Sequence, residues 1–329
     1  MTEARSGIIC AGNWILDIVH DIPRWPDKSD LVEISDQRTA MGGGPANVSC
    51  DLITMGAPYP LIPMGMIGQD EAGEKILGFC MQAGLPTQHI RRTDKAATAQ
   101  THVMNVRGDS RTFFYHGGAG DLLDLPDFNL SCAPARIFYL GYIGLLPTLD
   151  HVGKDGQSGA AHVLAQARKL GMLTCVDLVS SVSESFRARV QAVLPQIDVL
   201  LLNEVEAQRA SGCTIRNAED LGGMRAAAQI LLECGVRQSV ILHSAHQVIW
   251  ADMDGTTAFT APTVPPDQIV SPLGAGDAFA AGILHGMHEG WTREASVELA
   301  FAAARACLGG ETASDGLHSL CRPLARTSA

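Results

Sequence analysis

From residue 136 onward, short apolar runs alternate with segments in which apolar residues recur at helical spacing. Residues 136–142, 173–177, 198–202 and 238–243 are apolar runs with little alternation, as expected of strands buried on both faces. Between them, 159–170, 204–211 and 219–233 carry helical spacing, the first ending at Gly171. Residues 247–251 and 257–260 predict a hairpin, and 275–289 and 293–309 predict two closing helices. Strands and helices in this rhythm specify a parallel sheet covered by helices. The first third differs. Residues 6–11 predict a short buried strand, but 17–22, 31–38 and 98–114 mix apolar and polar positions, as a sheet with one wet face would. These segments interrupt the α/β rhythm twice. They predict a small antiparallel sheet, supplied from about 14–40 and 97–118, that projects from one α/β domain spanning 1–329 and acts as a lid. An edge extension with no part in closure is the alternative.

Composition narrows the class. A chain of 329 residues that is 46% hydrophobic can bury a large core. Its net charge of −11 is spread without a basic run, so a nucleic-acid partner is not expected. No uncharged apolar stretch approaches eighteen residues, so neither is a membrane. Residues 1–12 lack the basic start and apolar run of a secretory signal, which points to the cytoplasm. The nine cysteines are odd in number and form no Cys-x-x-Cys pair, as expected of reduced, buried thiols. A Gly-x-Ser-x-Gly elbow and a Walker A loop are absent, and His243 with His246 is the nearest approach to a metal-ligand pair.

Three stretches carry candidate chemistry. In Ser271-Pro272-Leu273-Gly274-Ala275-Gly276-Asp277, small residues feed a helix whose free backbone N–H groups and dipole suit an anion. Gly274, Ala275 and Gly276 offer an anion hole, and Asp277 in the first turn is placed to accept a proton from an attacking hydroxyl. A plain helix cap is the competing role for Asp277. In Gly42-Gly43-Gly44-Pro45-Ala46-Asn47, the glycines allow close backbone approach, and Asn47 presents both a donor and an acceptor to sugar hydroxyls. It is not a dinucleotide fingerprint, because Asn47 fills the third glycine position. In 198–206, Asn203 and Glu206 emerge at the end of an apolar strand, where open α/β sheets collect ligands and where water-mediated magnesium binding is expected. An acidic helix start is the competing reading.

Taken in order, Gly43-Gly44-Pro45-Ala46-Asn47, Asn203-x-x-Glu206 and Gly274-Ala275-Gly276-Asp277-Ala278-Phe279 resemble the ribokinase-like (PfkB) carbohydrate kinase family. The match extends to Gly12-Asn13 with Asp17 and to residues 64–73, so it covers essentially the whole chain. The resemblance implies a three-layer α/β/α fold with a small β-sheet lid, ATP as phosphoryl donor and Mg2+ as cofactor. It implies that Asp277 is the catalytic base, that Gly274, Ala275 and Gly276 supply the anion hole, and that Asp17, Gly43 and Asn47 bind the acceptor. Asn203, Glu206 and Ser244 fall in its nucleotide and magnesium region, with Glu206 reaching the metal through water.

The chain also departs from the family pattern. Ser271-Pro272 stands where relatives have Asp-Thr, which puts activation by a monovalent cation in doubt. Ser244 and Gln247 replace two glycines of a loop near the nucleotide, restricting its backbone. The reading is an ATP-dependent sugar kinase. A nucleoside kinase, or a catalytically weak sugar- or nucleoside-binding protein of the same fold, is the alternative. Asp17, Arg38, Asn105, Arg111 and Phe113 suit either acceptor, while Trp14, Phe113 and Phe114 are candidates for base stacking or for core. A free lid edge leaves a homodimer open.

Overall fold

The computed structural model describes residues 5–106, 111–180, 183–271, 273–310 and 314–320. Pro272, Cys321 and residues 107–110 of the expected lid lie outside the described residues. In chain order the strands are β1 (Ile8–Gly12), β2 (Ile15–Ile22), β3 (Asp36–Gly42), β4 (Leu61–Gly68), β5 (Ile90–Thr93), β6 (Ala99–Val106) and β7 (Thr112–His116). They continue with β8 (Ile137–Ile143), β9 (Leu173–Leu178), β10 (Val199–Asn203), β11 (Ser239–His243), β12 (Gln247–Asp252) and β13 (Gly255–Thr260). The helices are α1 (Gly44–Thr54), α2 (Glu71–Gln82), α3 (Gly159–Lys169), α4 (Phe186–Val193), α5 (Glu204–Ser211), α6 (Leu221–Glu233), α7 (Ala275–Glu289) and α8 (Arg293–Leu308).

The main sheet has the order β13-β12-β11-β10-β9-β8-β1-β4-β5, parallel from β11 to β5, with β12 and β13 antiparallel at one edge. Strand alternation splits the core in two. Ile9 and Ala11 point into a cluster with α3, α4, α5 and α6, whereas Ile8 and Cys10 point into one with α1, α2, α7 and α8. Both faces are therefore covered, giving the three-layer α/β/α arrangement. Among the described residues, no helix is long and apolar enough to cross a membrane.

The second sheet, β3-β2-β6-β7, is mixed rather than antiparallel, because β2 and β6 pair in parallel from Ile15↔Ala99 to Ile22↔Val106. Connectivity explains this. β2 follows β1 and β6 follows β5, so both leave the carboxyl edge of the main sheet in the same direction, and β3 and β7 return antiparallel to them. The expected strand at 31–38 lies instead at Asp36–Gly42, where it pairs with β2 and leads directly into α1; Leu31, 83% exposed, stays outside it. The region 61–93 holds β4, α2 and β5, which the hydrophobic pattern did not single out. Pro63, Gly65 and Gly68 dilute the strand signal of β4, although every residue of that strand is buried.

Helices α7 and α8 approach so closely that a Cβ on Gly282 would fall 2.5 Å from the Ala300 Cα. Gly282→Val is expected to lower the unfolding free energy by about 3 kcal/mol in urea titrations, because neither helix backbone can yield cheaply. Gly78 of α2 meets nothing within 4 Å, so Gly78→Ala should raise stability by roughly 0.5–1 kcal/mol in the same assay.

Candidate active site

The parallel strands end along one edge, and polar side chains collect there as open α/β sheets lead one to expect. Asn13 follows β1, Tyr142 lies near the end of β8, Asp177 near that of β9, and Asn203 and His243 close β10 and β11. α1 and α7 start at the same edge, each with a glycine N-cap that makes no side-chain hydrogen bond. The N-cap of α7, Gly274, adopts φ +79°, a conformation that glycine takes without strain. The first amides of α7 therefore meet no capping side chain and remain available to an anion.

Asp277 sits in this first turn, buried, but does not cap the helix. Its Oδ2 accepts a hydrogen bond from Asn47 Nδ2 at 2.8 Å, and its Oδ1 accepts one from the Tyr142 hydroxyl at 2.6 Å. Burial pushes its carboxyl up to about 6, while the two donors pull it back down. A carboxyl balanced there is poised to exchange a proton near neutral pH.

The expected acceptor residues converge on Asp277. Asp17 on β2 lies against Gly42, where a Cβ would come within 2.3 Å of Asp17 Oδ2. Burial raises its carboxyl to about 7, with the Thr101 hydroxyl opposing and the Asp277 charge adding to the rise. At Gly43, φ is +92° and a Cβ would fall 2.2 Å from the Asn13 carbonyl oxygen. Asn13 then ties three elements together. Its Nδ2 donates to the Leu145 carbonyl at 3.1 Å and to the Tyr115 hydroxyl at 3.3 Å, and its Oδ1 accepts from the Tyr142 amide at 3.1 Å.

Asn203 and Glu206 form a capping box on α5. Asn203 Oδ1 accepts from the Val205 and Glu206 amides, while Glu206 Oε2 accepts from the Asn203 amide at 2.9 Å and Oε1 from the Ser180 hydroxyl at 2.9 Å. Burial raises the Glu206 carboxyl. Asp177 is driven well above the carboxylate range, first by burial and then by the charges of Glu206 and Asp277. Among the described residues, no cluster of three or more His, Cys, Asp or Glu is placed to cage a metal ion. Glu206 and Asp177 are the two carboxylates that this edge of the sheet places near each other, close enough for their charges to interact. Ser244 follows β11, and its hydroxyl donates to the Ala218 carbonyl at 2.7 Å, so the side chain ties this turn to the connection between α5 and α6.

Tyr142, Asp177, Thr101 and His243 were not singled out from the sequence for this site. Asp177 had the same signal as Asn203, a polar residue ending an apolar strand. Tyr142 gave none, since its partner lies 135 positions away. His243 is half-buried against Phe279, with ring centroids 4.9 Å apart, and loss of solvent around the ring lowers its imidazole to about 4. Phe279 in turn contacts Phe301, which lines a cleft of about 960 Å³ between β13 and α8.

Residues 7–319 match the family described as pfkB family carbohydrate kinase. An adenosine kinase of Saccharomyces cerevisiae is 24% identical over 281 residues, covering 82% of this chain and 78% of that protein. A ribokinase of Arabidopsis thaliana is 25% identical over 308 residues, covering 92% and 76%. The structure of Arabidopsis thaliana ribokinase complexed with ribose and ATP superposes with a TM-score of 0.73 at 20% identity, covering 97% of this chain and 99% of that one. The fold is thus that of the ribokinases, and the chain belongs to the pfkB family of carbohydrate kinases. It is a phosphotransferase with an alcohol group as acceptor.

The buried acids set a pH dependence of stability. Asp17 and Asp277 have folded pKa values raised above the ordinary carboxylate value, so each holds more proton folded than unfolded. Their contribution is fully present only below the ordinary carboxylate value of 3.8 and is lost as pH rises through about 6 for Asp277 and about 7 for Asp17. Asp17→Asn should therefore exceed the parent in stability at pH 8 by on the order of 2 kcal/mol and come close to it at about pH 3. Urea titrations at the two pH values check this, and an equal difference at both would contradict it.

Proposed function

We propose that this kinase is an ATP-dependent sugar kinase in which Asp277 takes the proton of the acceptor hydroxyl as it attacks the γ-phosphorus. The supporting observation is a buried carboxylate within one turn of an uncapped helix N-terminus. The amides around Gly274, Ala275 and Gly276 would neutralise the transferring phosphoryl group, and Asp277 beside them would deprotonate the nucleophile. Mg2+ would enter with the nucleotide and shield its phosphate charge, with Asn203, Glu206 and Asp177 around its water shell. The cleft between β13 and α8 suits the rest of the donor, next to the Phe301–Phe279–His243 contacts that lead to α7.

The second sheet is read as a lid within one kinase domain. Asp17, Gly43 and Asn47 lie at its base and at the start of α1, where they would grip acceptor hydroxyls. Strand register favours a second reading as well. Moving outward from Asp17 and Thr101 on the same face, the next row is Arg38, Val19, Val103 and Phe113. A polar row followed by one of two valines and a phenylalanine, with Arg38 at its edge, suits a nucleoside, with ribose inward and base outward. On β7, Phe113 and Phe114 are more than half exposed, so a second copy pairing along this edge would cover them. Cys10, Cys50, Cys80, Cys132, Cys175, Cys213 and Cys234 are free thiols, in keeping with the cytoplasm.

Purified protein with ATP and Mg2+ should release ADP only when a suitable pentose, hexose or nucleoside is supplied, and Asp277→Asn should cut kcat by about 10³-fold while leaving acceptor binding in place. A coupled ADP-release assay measures both. Acceptor binding without ADP release in the parent would mark the chain as a binding protein instead.

A further inference from the structure

Asp277 is held by two side chains from distant parts of the chain, and only Asn47 belongs to a motif read in the sequence. The other, Tyr142, is fixed with little freedom. Its amide donates to Asn13 Oδ1, and its ring lies over α1 so closely that a Cβ on Gly44 would fall 2.7 Å from it. Its hydroxyl is left facing Asp277 Oδ1.

We propose, building on the assignment of Asp277 as base, that Tyr142 is a positioning residue of the phosphoryl-transfer site, its hydroxyl keeping the Asp277 carboxylate ionised and fixed toward the N-terminus of α7. The surroundings require such a donor. Asp17 on β2, Asp51 on α1, and Tyr139 and Asp177 on β8 and β9 each have the Asp277 charge among the causes that raise their own pKa. The nearest imidazole, His243 on β11, is held neutral by burial. No cation therefore offsets the carboxylate among these groups, and neutral donors must do so. The Tyr142 hydroxyl is itself driven well above its ordinary value by burial and by the Asp277 charge, so it remains a donor across the working pH range. A carboxylate oxygen accepts more than one hydrogen bond, so Oδ1 can hold Tyr142 and still receive the acceptor hydroxyl.

The test is a carbon-13 titration of the full-length protein labelled at the aspartate carboxyl carbons, with Asp277→Asn identifying the resonance. The parent should titrate near 6, and Tyr142→Phe should move the midpoint up by roughly one pH unit, since a hydrogen bond to a charged group is worth about that much. An unchanged midpoint overturns the proposal. Should Tyr142→Phe fail to fold, 3-fluorotyrosine in place of Tyr142 keeps the ring and strengthens the donor, so the midpoint should fall; no movement there overturns it equally. In turnover, the acidic limb of the kcat/KM profile should shift with the midpoint, leaving Tyr142→Phe about ten-fold slower below the limb and near parental above it. Loss of rate at all pH values with an unmoved limb would mark a purely structural role. Retained turnover in Asp277→Asn would instead refute the base assignment, whatever the Tyr142 titration gives.

Discussion

Keeping one carboxylate charged inside a protein is the constraint around which this fold is arranged. Asp277 gains from the dipole of α7 but is cut off from water, and burial alone would leave it protonated. The remedy comes from two elements that must reach the same point: α1 brings Asn47 and β8 brings Tyr142. Small residues make that convergence possible. A Cβ on Gly12 would fall 1.7 Å from the Gly141 carbonyl oxygen, and one on Gly44 would enter the Tyr142 ring. These glycines set the spacing that lets two donors meet one acid.

The second sheet follows from the same geometry. Because β2 and β6 both leave the carboxyl edge of the main sheet, they emerge beside the site and run outward in parallel, carrying Asp17 and Thr101 at their base. In the proposed assignment, the acceptor side of the site is thus built by the segments that interrupt the α/β rhythm. In the same proposal, phosphate chemistry is left to the regular part, where helix N-termini and strand ends supply amides and carboxylates.

Much of this was legible where punctuation is local. Helices 204–211 and 275–289 agree with the sequence reading to the residue, since Asn203 and Gly212 bracket the first and Gly274 and Gly290 the second, each glycine in the left-handed conformation. Of the expected site residues, Asn47 bonds Asp277 directly and Asp17 feels its charge, Glu206 stands one step away beside Asp177, and the Ser244 hydroxyl bonds the Ala218 carbonyl. What stayed hidden depends on distant partners. The parallel pairing of β2 and β6 follows from where each leaves the main sheet, and hydrophobic spacing does not encode strand direction. Tyr142 reads as one more apolar residue of a strand until the fold brings α7 beside it. β4 was masked by Pro63 and its glycines, which a fully buried strand tolerates when its neighbours supply the packing.

The most direct measurement is a crystal structure of the protein with magnesium and a non-hydrolysable ATP analogue, together with the acceptor found by the ADP-release assay. The γ-phosphate oxygens should lie about 3 Å from the backbone amides at the start of α7, with the acceptor hydroxyl between the phosphorus and Asp277. A γ-phosphate seated away from that helix, or an acceptor hydroxyl out of reach of Asp277, would contradict the assignment of this edge of the sheet as the site of phosphoryl transfer.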